Sequence, residues 1–261
     1  MRDLTETFTT YRVEDHVAVL TLNRPQALNA LSREVLSEIG AHLAMLDLQD
    51  VRVLVIRGEG RVFCAGADIG QMQHMSAVEA ESMARLGQRV FQAIEQLPIP
   101  VVALIHGGAF GGGLELALAC DFRIAAAGAV VGLPEVTLGV NPSFGGTYRL
   151  PRAIGFARAL SMMLLGERIP VEKALEYGLV NEVVAPDELQ ARGMDLARKL
   201  ASQSSAAMAA IKRSAHHGFG QDSARAQAYE AAQFGLCFAS GDAREGMAAF
   251  KEKRQARFHE D

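Results

Sequence analysis

Cysteine is scarce in this chain: 261 residues contain only Cys64, Cys120 and Cys237, far apart and in no CxxC or Cys/His cluster. An odd, dispersed set fits a reducing compartment and argues against a disulfide framework or a zinc site. Positive charge is also short. Lys and Arg total 26 against 30 Asp and Glu, a net charge of −4, so no global positive field recruits nucleic acid or anionic membrane. No run reaches the roughly 18 apolar residues of a membrane span. The N-terminal stretch "MRDLTETFTTYRVEDH" has no apolar signal-peptide core. Tryptophan is absent, yet 49% of residues are hydrophobic and 21% charged, the balance of a soluble globular protein. The length suits one large domain or two small ones. The expectation is a soluble cytoplasmic protein that engages neither nucleic acid nor membrane.

What is present is an alternation. "HVAVLTLNR", "VRVLVIRG", "IPVVALIHG", "DFRIAA" and "AVVG" read as strands. Between them, "SREVLSEIGAHLAML" carries Val35, Leu36, Ile39, Leu43 and Leu46 at helical spacing behind a Ser32 cap. "AVEAESMARLGQRVFQAIEQL" and "LELALA" are further helices. This order implies α/β architecture, and roughly 45 residues per unit suggest a spiral of similar turns. Past Gly145 the segments read as helical, and "SGDAREGM" sets Asp242 and Glu245 at capping-box spacing. The division expected is a spiral core over 1–195 and a helical region over 196–261.

Two lone carboxylates stand out. Glu115 interrupts the apolar run of "HGGAFGGGLELALACD", and Glu135 stands alone in "VVGLPEVTLGV". Burying a carboxylate costs several kcal/mol unless something offsets it. The glycines before Glu115 open a helix, whose first N–H groups and dipole suit a phosphate or a developing oxyanion. No GK[ST] or G-x-G-x-x-G follows, and tight strand–helix packing explains a glycine cluster equally well. Gly112 and Glu115 lie one turn apart on one face, so the carboxylate neighbours whatever the Gly112 N–H binds. Desolvation should raise its pKa toward usable acid–base chemistry. The alternative is a buried ion pair with Arg123 or Arg149. "RVFCAGADIGQM" reads as a second tight turn that can present the Ala67 N–H.

In this order and spacing, "LNRPQALNALS", "FCAGADI", "GGGLELALACD", "LPEVTLGVNPSFGGTYRLPR" and "EGMAAFKEKRQARF" resemble the enoyl-CoA hydratase/isomerase (crotonase) family over nearly the whole chain. The resemblance implies a spiral of ββα turns with a C-terminal helical trimerisation region, assembled as a homotrimer or a dimer of trimers. It implies an acyl-CoA substrate and no cofactor, the CoA being part of the substrate. The thioester carbonyl would sit between the N–H groups of Ala67 and Gly112, with Glu115 and Glu135 as catalytic acids and bases. Arg24, Ala27, Ala65, Asp68, Ile69, Gly70, Gly111, Pro134, Leu138 and Ser143 would complete the substrate site. Lys251 and Lys253 are candidate contacts to CoA phosphates, and Phe250 to the acyl tail. The implied reaction is hydration of a 2-enoyl-CoA; double-bond isomerisation is the alternative, and a non-catalytic RNA- or protein-binding member is a third.

Two positions depart from the pattern of family hydratases: Leu133 stands where glutamine is frequent, and Ser143 where glycine is. His106 reads as structural, and His216 and His217 as solvent-facing. Met72, Met75 and Met83 read as pliable wall residues rather than ligands.

Overall fold

The computed structural model describes residues 7–258. The first six residues of the N-terminal stretch and the last three of the expected helical region lie outside the described residues. The chain opens with β1 (Thr9–Glu14), β2 (Val17–Leu22), a 3-10 turn at Pro25–Ala27, α1 (Arg33–Ala44) and β3 (Val53–Gly58). Then come α2 (Ile69–Met72), α3 (Ala77–Gln96), β4 (Val101–Ile105), β5 (Gly108–Phe110), α4 (Gly112–Ala119), β6 (Phe122–Ala126) and β7 (Val130–Gly132). A 3-10 turn at Glu135–Leu138 precedes α5 (Gly146–Ile154), α6 (Phe156–Leu165), β8 (Arg168–Pro170), α7 (Val171–Glu176) and β9 (Glu182–Val184). The last helices are α8 (Leu189–Ala201), α9 (Ser205–Gly218), α10 (Ser223–Cys237) and α11 (Asp242–Glu252).

The expected α/β spiral is what these elements build. One sheet has the order β1-β2-β3-β4-β6-β9, parallel except for the β1/β2 hairpin. A smaller sheet runs β5-β7-β8. Two successive turns give a strand to each sheet and then a helical segment, β4–β5–α4 and β6–β7–α5. The central strands are buried on both faces, which is why they read as continuous apolar runs. Alternation sorts their side chains: Leu20, Leu54, Ile56 and Ile105 join the main core under α1, α3 and α4, while Val19, Val55, Val102 and Leu104 pack under α8.

Helix α8 crosses the expected division at residue 195 and buries Leu189, Ala197 and Ala201 against the sheet. Two expectations need correction. The segment past Gly145 holds β8 and β9 as well as helices; three-residue strands are too short to show a period. Asp242 and Glu245 form no capping box. The N-cap is Gly241, and the Glu245 carboxylate instead takes the Arg254 guanidinium at 2.6 and 2.8 Å and the Arg257 N–H at 2.7 Å. The Ser32 cap forms, accepting the Val35 N–H at 3.3 Å.

Candidate active site

The glycine cluster serves both packing and presentation. A Cβ on Gly107 or Gly113 would strike the backbone of Arg61 or Cys64, so these two let the loop after β3 close onto the glycine cluster. Gly111 has φ 51°, open to glycine at little cost, and its missing Cβ would sit 3.0 Å from Glu135 Oε1. Gly112 is the first residue of α4, where the N–H has no partner inside the helix.

The second turn is clamped from the side. Leu31 donates its N–H to Gly66 O at 2.7 Å and accepts the Asp68 N–H at 3.1 Å. This single parallel bridge turns the Ala67 N–H to the opposite side. Gly66, at φ 109°, lies against the first turn: a Cβ there would be 2.8 Å from Phe110 O and 3.5 Å from the Gly112 nitrogen. Asn29 braces the loop from below. It is 1% exposed, sits at φ 57°, and its Nδ2 donates to the carbonyls of Glu59, Val62 and Phe63 at 2.8, 2.9 and 3.1 Å. Both glycine turns and both carboxylates border one cavity of about 1230 Å³.

Glu115, in the first turn of α4, is 1% exposed. Its Oε1 accepts the Phe144 N–H at 2.8 Å and the Gly146 N–H at 2.6 Å. The expected alternative of an ion pair does not form. Arg123 donates to the carbonyls of Leu179, Ala117 and Cys120, and Arg149 pairs with Glu95. Burial pushes the Glu115 carboxyl up to about 7, and the nearby Glu135 charge adds to this while the two N–H donors oppose it. Glu135 opens its 3-10 turn half-buried, with Oε2 inaccessible and unpaired among the described residues. Burial raises its pKa too. Two carboxylates whose burial favours the protonated form can exchange protons with a substrate in the cavity they border.

Of the residues expected at the substrate site, Ala65, Ala67, Ile69, Gly111, Gly112, Pro134, Leu138 and Ser143 line this cavity. Arg24, Ala27, Asp68 and Gly70 do not. Arg24 is bound to Asp68, and Asp68 caps α2 by accepting the Gln71 N–H at 3.3 Å. Ala27 lies in the first 3-10 turn, and Gly70 is exposed on α2. Lys251, Lys253 and Phe250 lie at the end of α11, away from the cavity, with Phe250 86% exposed. Met72, Met75 and Met83 form part of its wall.

His216 and His217 are exposed but border the cavity; His217 stacks on Tyr229 with ring centroids 4.0 Å apart. His106 lies outside it with Nε2 3.0 Å from Gly60 O, and burial lowers its pKa. Leu133 is buried beside Gly146, and the Ser143 carbonyl accepts the Gln88 amide at 2.9 Å. Phe144, Gly146 and Asn29 are functional contacts that sequence reasoning misses. For Asn29 the motif "LNRPQALNALS" held the signal, since asparagine tolerates the left-handed region. Among the described residues, no cluster of three or more His, Cys, Asp or Glu is placed to hold a metal ion, and no helix is long and apolar enough to cross a membrane.

An α/β spiral that sets a buried and a half-buried carboxylate and two glycine turns around one cavity has the makings of an acid–base enzyme site. The chain belongs to the enoyl-CoA hydratase/isomerase family, whose model matches residues 12–261. It is 47% identical to a crotonyl-CoA hydratase of Syntrophomonas wolfei over 94% of this chain and 95% of that protein. It is 40% identical to a short-chain-enoyl-CoA hydratase of Clostridium acetobutylicum over 93% and 94%. The crystal structure of an enoyl-CoA hydratase from Bacillus anthracis superposes with a TM-score of 0.94 at 36% identity, covering 98% of this chain and all of that one.

Proposed function

We propose that this enzyme adds water across the 2,3 double bond of a short- or medium-chain 2-enoyl-CoA, giving the 3-hydroxyacyl-CoA. The observation that carries this is the asymmetry of the two carboxylates. Glu115 has both N–H donors on Oε1, which favours its anion and leaves Oε2 to accept a proton. Glu135 has a buried oxygen without a donor, which favours its acid form. Glu115 therefore acts as the base toward water and Glu135 as the acid toward C2. The water oxygen bonds to C3, its proton goes to Glu115, the π electrons shift into the thioester, and the Glu135 proton goes to C2. Proton return from Glu115 to Glu135 resets the pair. The Ala67 and Gly112 N–H groups take the negative charge that builds on the thioester oxygen, each typically worth about 3–4 kcal/mol in the transition state. The chemistry calls for no cofactor beyond the CoA of the substrate.

Ala65 and Ile69 flank the pantetheine arm in this proposal, and the three methionines adapt to the acyl chain. Assembly as a homotrimer or a dimer of trimers is supported by apolar side chains left exposed on the last helices, among them Ile211, Phe234, Leu236 and Met247. A cytoplasmic location accords with the scarcity of cysteine. Crotonyl-CoA tests the reaction directly: the conjugated-thioester absorbance is expected to fall on adding enzyme, faster than for decenoyl-CoA if the cavity prefers short chains. Persistence of that absorbance with both substrates refutes the proposal.

A further inference from the structure

Arg149 stands one step behind Glu115. Its guanidinium is 8% exposed and all three nitrogens are engaged: Nε and Nη2 donate to Glu95 Oε2 at 3.1 and 2.8 Å, and Nη1 donates to Phe144 O at 3.0 Å. Phe144 thus has its carbonyl gripped by Arg149 and its N–H on Glu115. The next residue, Gly145 at φ 113°, is the kind of position that relaxes when nothing holds it. After it comes Gly146, the first residue of α5 and the second donor to Glu115. A buried ion pair is weak evidence for a stabilising role, because desolvation offsets most of the attraction. Its planar fork does something else here: it ties α3, through Glu95, to the segment that aims both donors.

We propose that Arg149, locked by Glu95, is a positioning residue for the base: it holds Phe144–Gly146 so that both N–H groups converge on Glu115 Oε1 and Oε2 is left for water. The proposal rests on the hydratase function above. The charged groups that bear on Glu115 are Glu135 from its 3-10 turn and Arg149 from α5, with Glu95 of α3 acting through Arg149. Strand β5 brings none.

The test compares R149M, R149K and E95Q for kcat, KM, the acid limb of kcat/KM against pH, and Tm. R149M is expected to lower kcat by about 10- to 100-fold with little change in KM. It also moves the acid limb to higher pH, because Glu115 loses ordered donors and a nearby cation. R149K keeps the charge but cannot bridge Glu95 and Phe144 together, so kcat falls and the limb moves less far than in R149M. E95Q removes a negative charge and moves the limb to lower pH. Wild-type kcat in R149K overturns the proposal, as does an R149M enzyme whose kcat, KM and Tm fall together with the limb unmoved. If R149M does not fold, R149K and E95Q decide. Infrared titration of the Glu115 carboxyl, by difference against E115Q, reads the same shifts without turnover. A wild type that hydrates no enoyl-CoA refutes the hydratase function, and the infrared titration then separately upholds or refutes positioning by Arg149.

Discussion

Replacing Glu115 with glutamine is expected to abolish turnover and stabilise the protein, and the gain should grow with pH. Burial raises the Glu115 pKa from 4.5 to about 7 in the folded chain. Between these values the folded state binds more protons than the unfolded one, so stability falls as pH rises through this window. Once both states are ionised, above about pH 8, the full penalty applies, on the order of 3 kcal/mol. Glutamine fills the same space, and its Oε1 can accept the Phe144 and Gly146 N–H groups, so E115Q avoids that penalty. Near pH 4.5 and below, the wild-type side chain is protonated and the two proteins should match. Thermal unfolding at equal protomer concentration, at about pH 5 and about pH 8.5, measures this. At roughly 2–4 °C per kcal/mol for a chain of this size, the mutant should gain several degrees at the higher pH and little at the lower. A mutant less stable at high pH, or an advantage that does not grow with pH, refutes the desolvated-carboxylate account.

Other consequences follow from the same geometry. E135Q should lower kcat by several orders of magnitude while binding a saturated acyl-CoA almost as tightly as wild type; full activity would remove Glu135 from the mechanism. At position 112 an added Cβ meets the Phe144 ring at 3.0 Å, so G112A and G112P share that crowding and differ in the N–H. Proline fits the first residue of a helix, and kcat of G112P should fall roughly 10²–10³-fold below that of G112A; equal rates would exclude the Gly112 N–H as an oxyanion donor. The pH profile of kcat/KM should rise through about pH 7 as Glu115 loses its proton. A flat profile from about pH 5 to 8 would contradict the assignment of the base.

The pair Glu115 and Glu135 was legible because each is a lone charge in an apolar run, and only function or a hidden partner explains such a residue. The long central strands and α1 and α3 were legible for a related reason: burial on one or both faces writes its period into the sequence. Strands β5, β8 and β9, three residues each, carry no period and are set by their neighbours in space. Long-range bonds were equally silent. Nothing in the chain announces that Arg24 spends its charge on Asp68 across 44 positions, or that Arg149 reaches Glu95 instead of Glu115. Asn29 lay inside a quoted motif, yet its three carbonyl partners are 30 to 34 residues away. The glycine turns point to the Ala67 and Gly112 N–H groups singly, but pairing them on one thioester oxygen rests on the family resemblance; a backbone N–H leaves no mark on side-chain chemistry.

The central claim is that water, activated by Glu115, becomes part of the product. Incubation of the enzyme with crotonyl-CoA in oxygen-18 water, followed by mass spectrometry of the acyl group, tests it most directly. The account predicts one labelled oxygen at C3 of a 3-hydroxybutyryl thioester, formed by the wild type and lost in E115Q. Conversion of a 3-enoyl-CoA to its 2-enoyl isomer with no labelled hydroxyl in any product would contradict it.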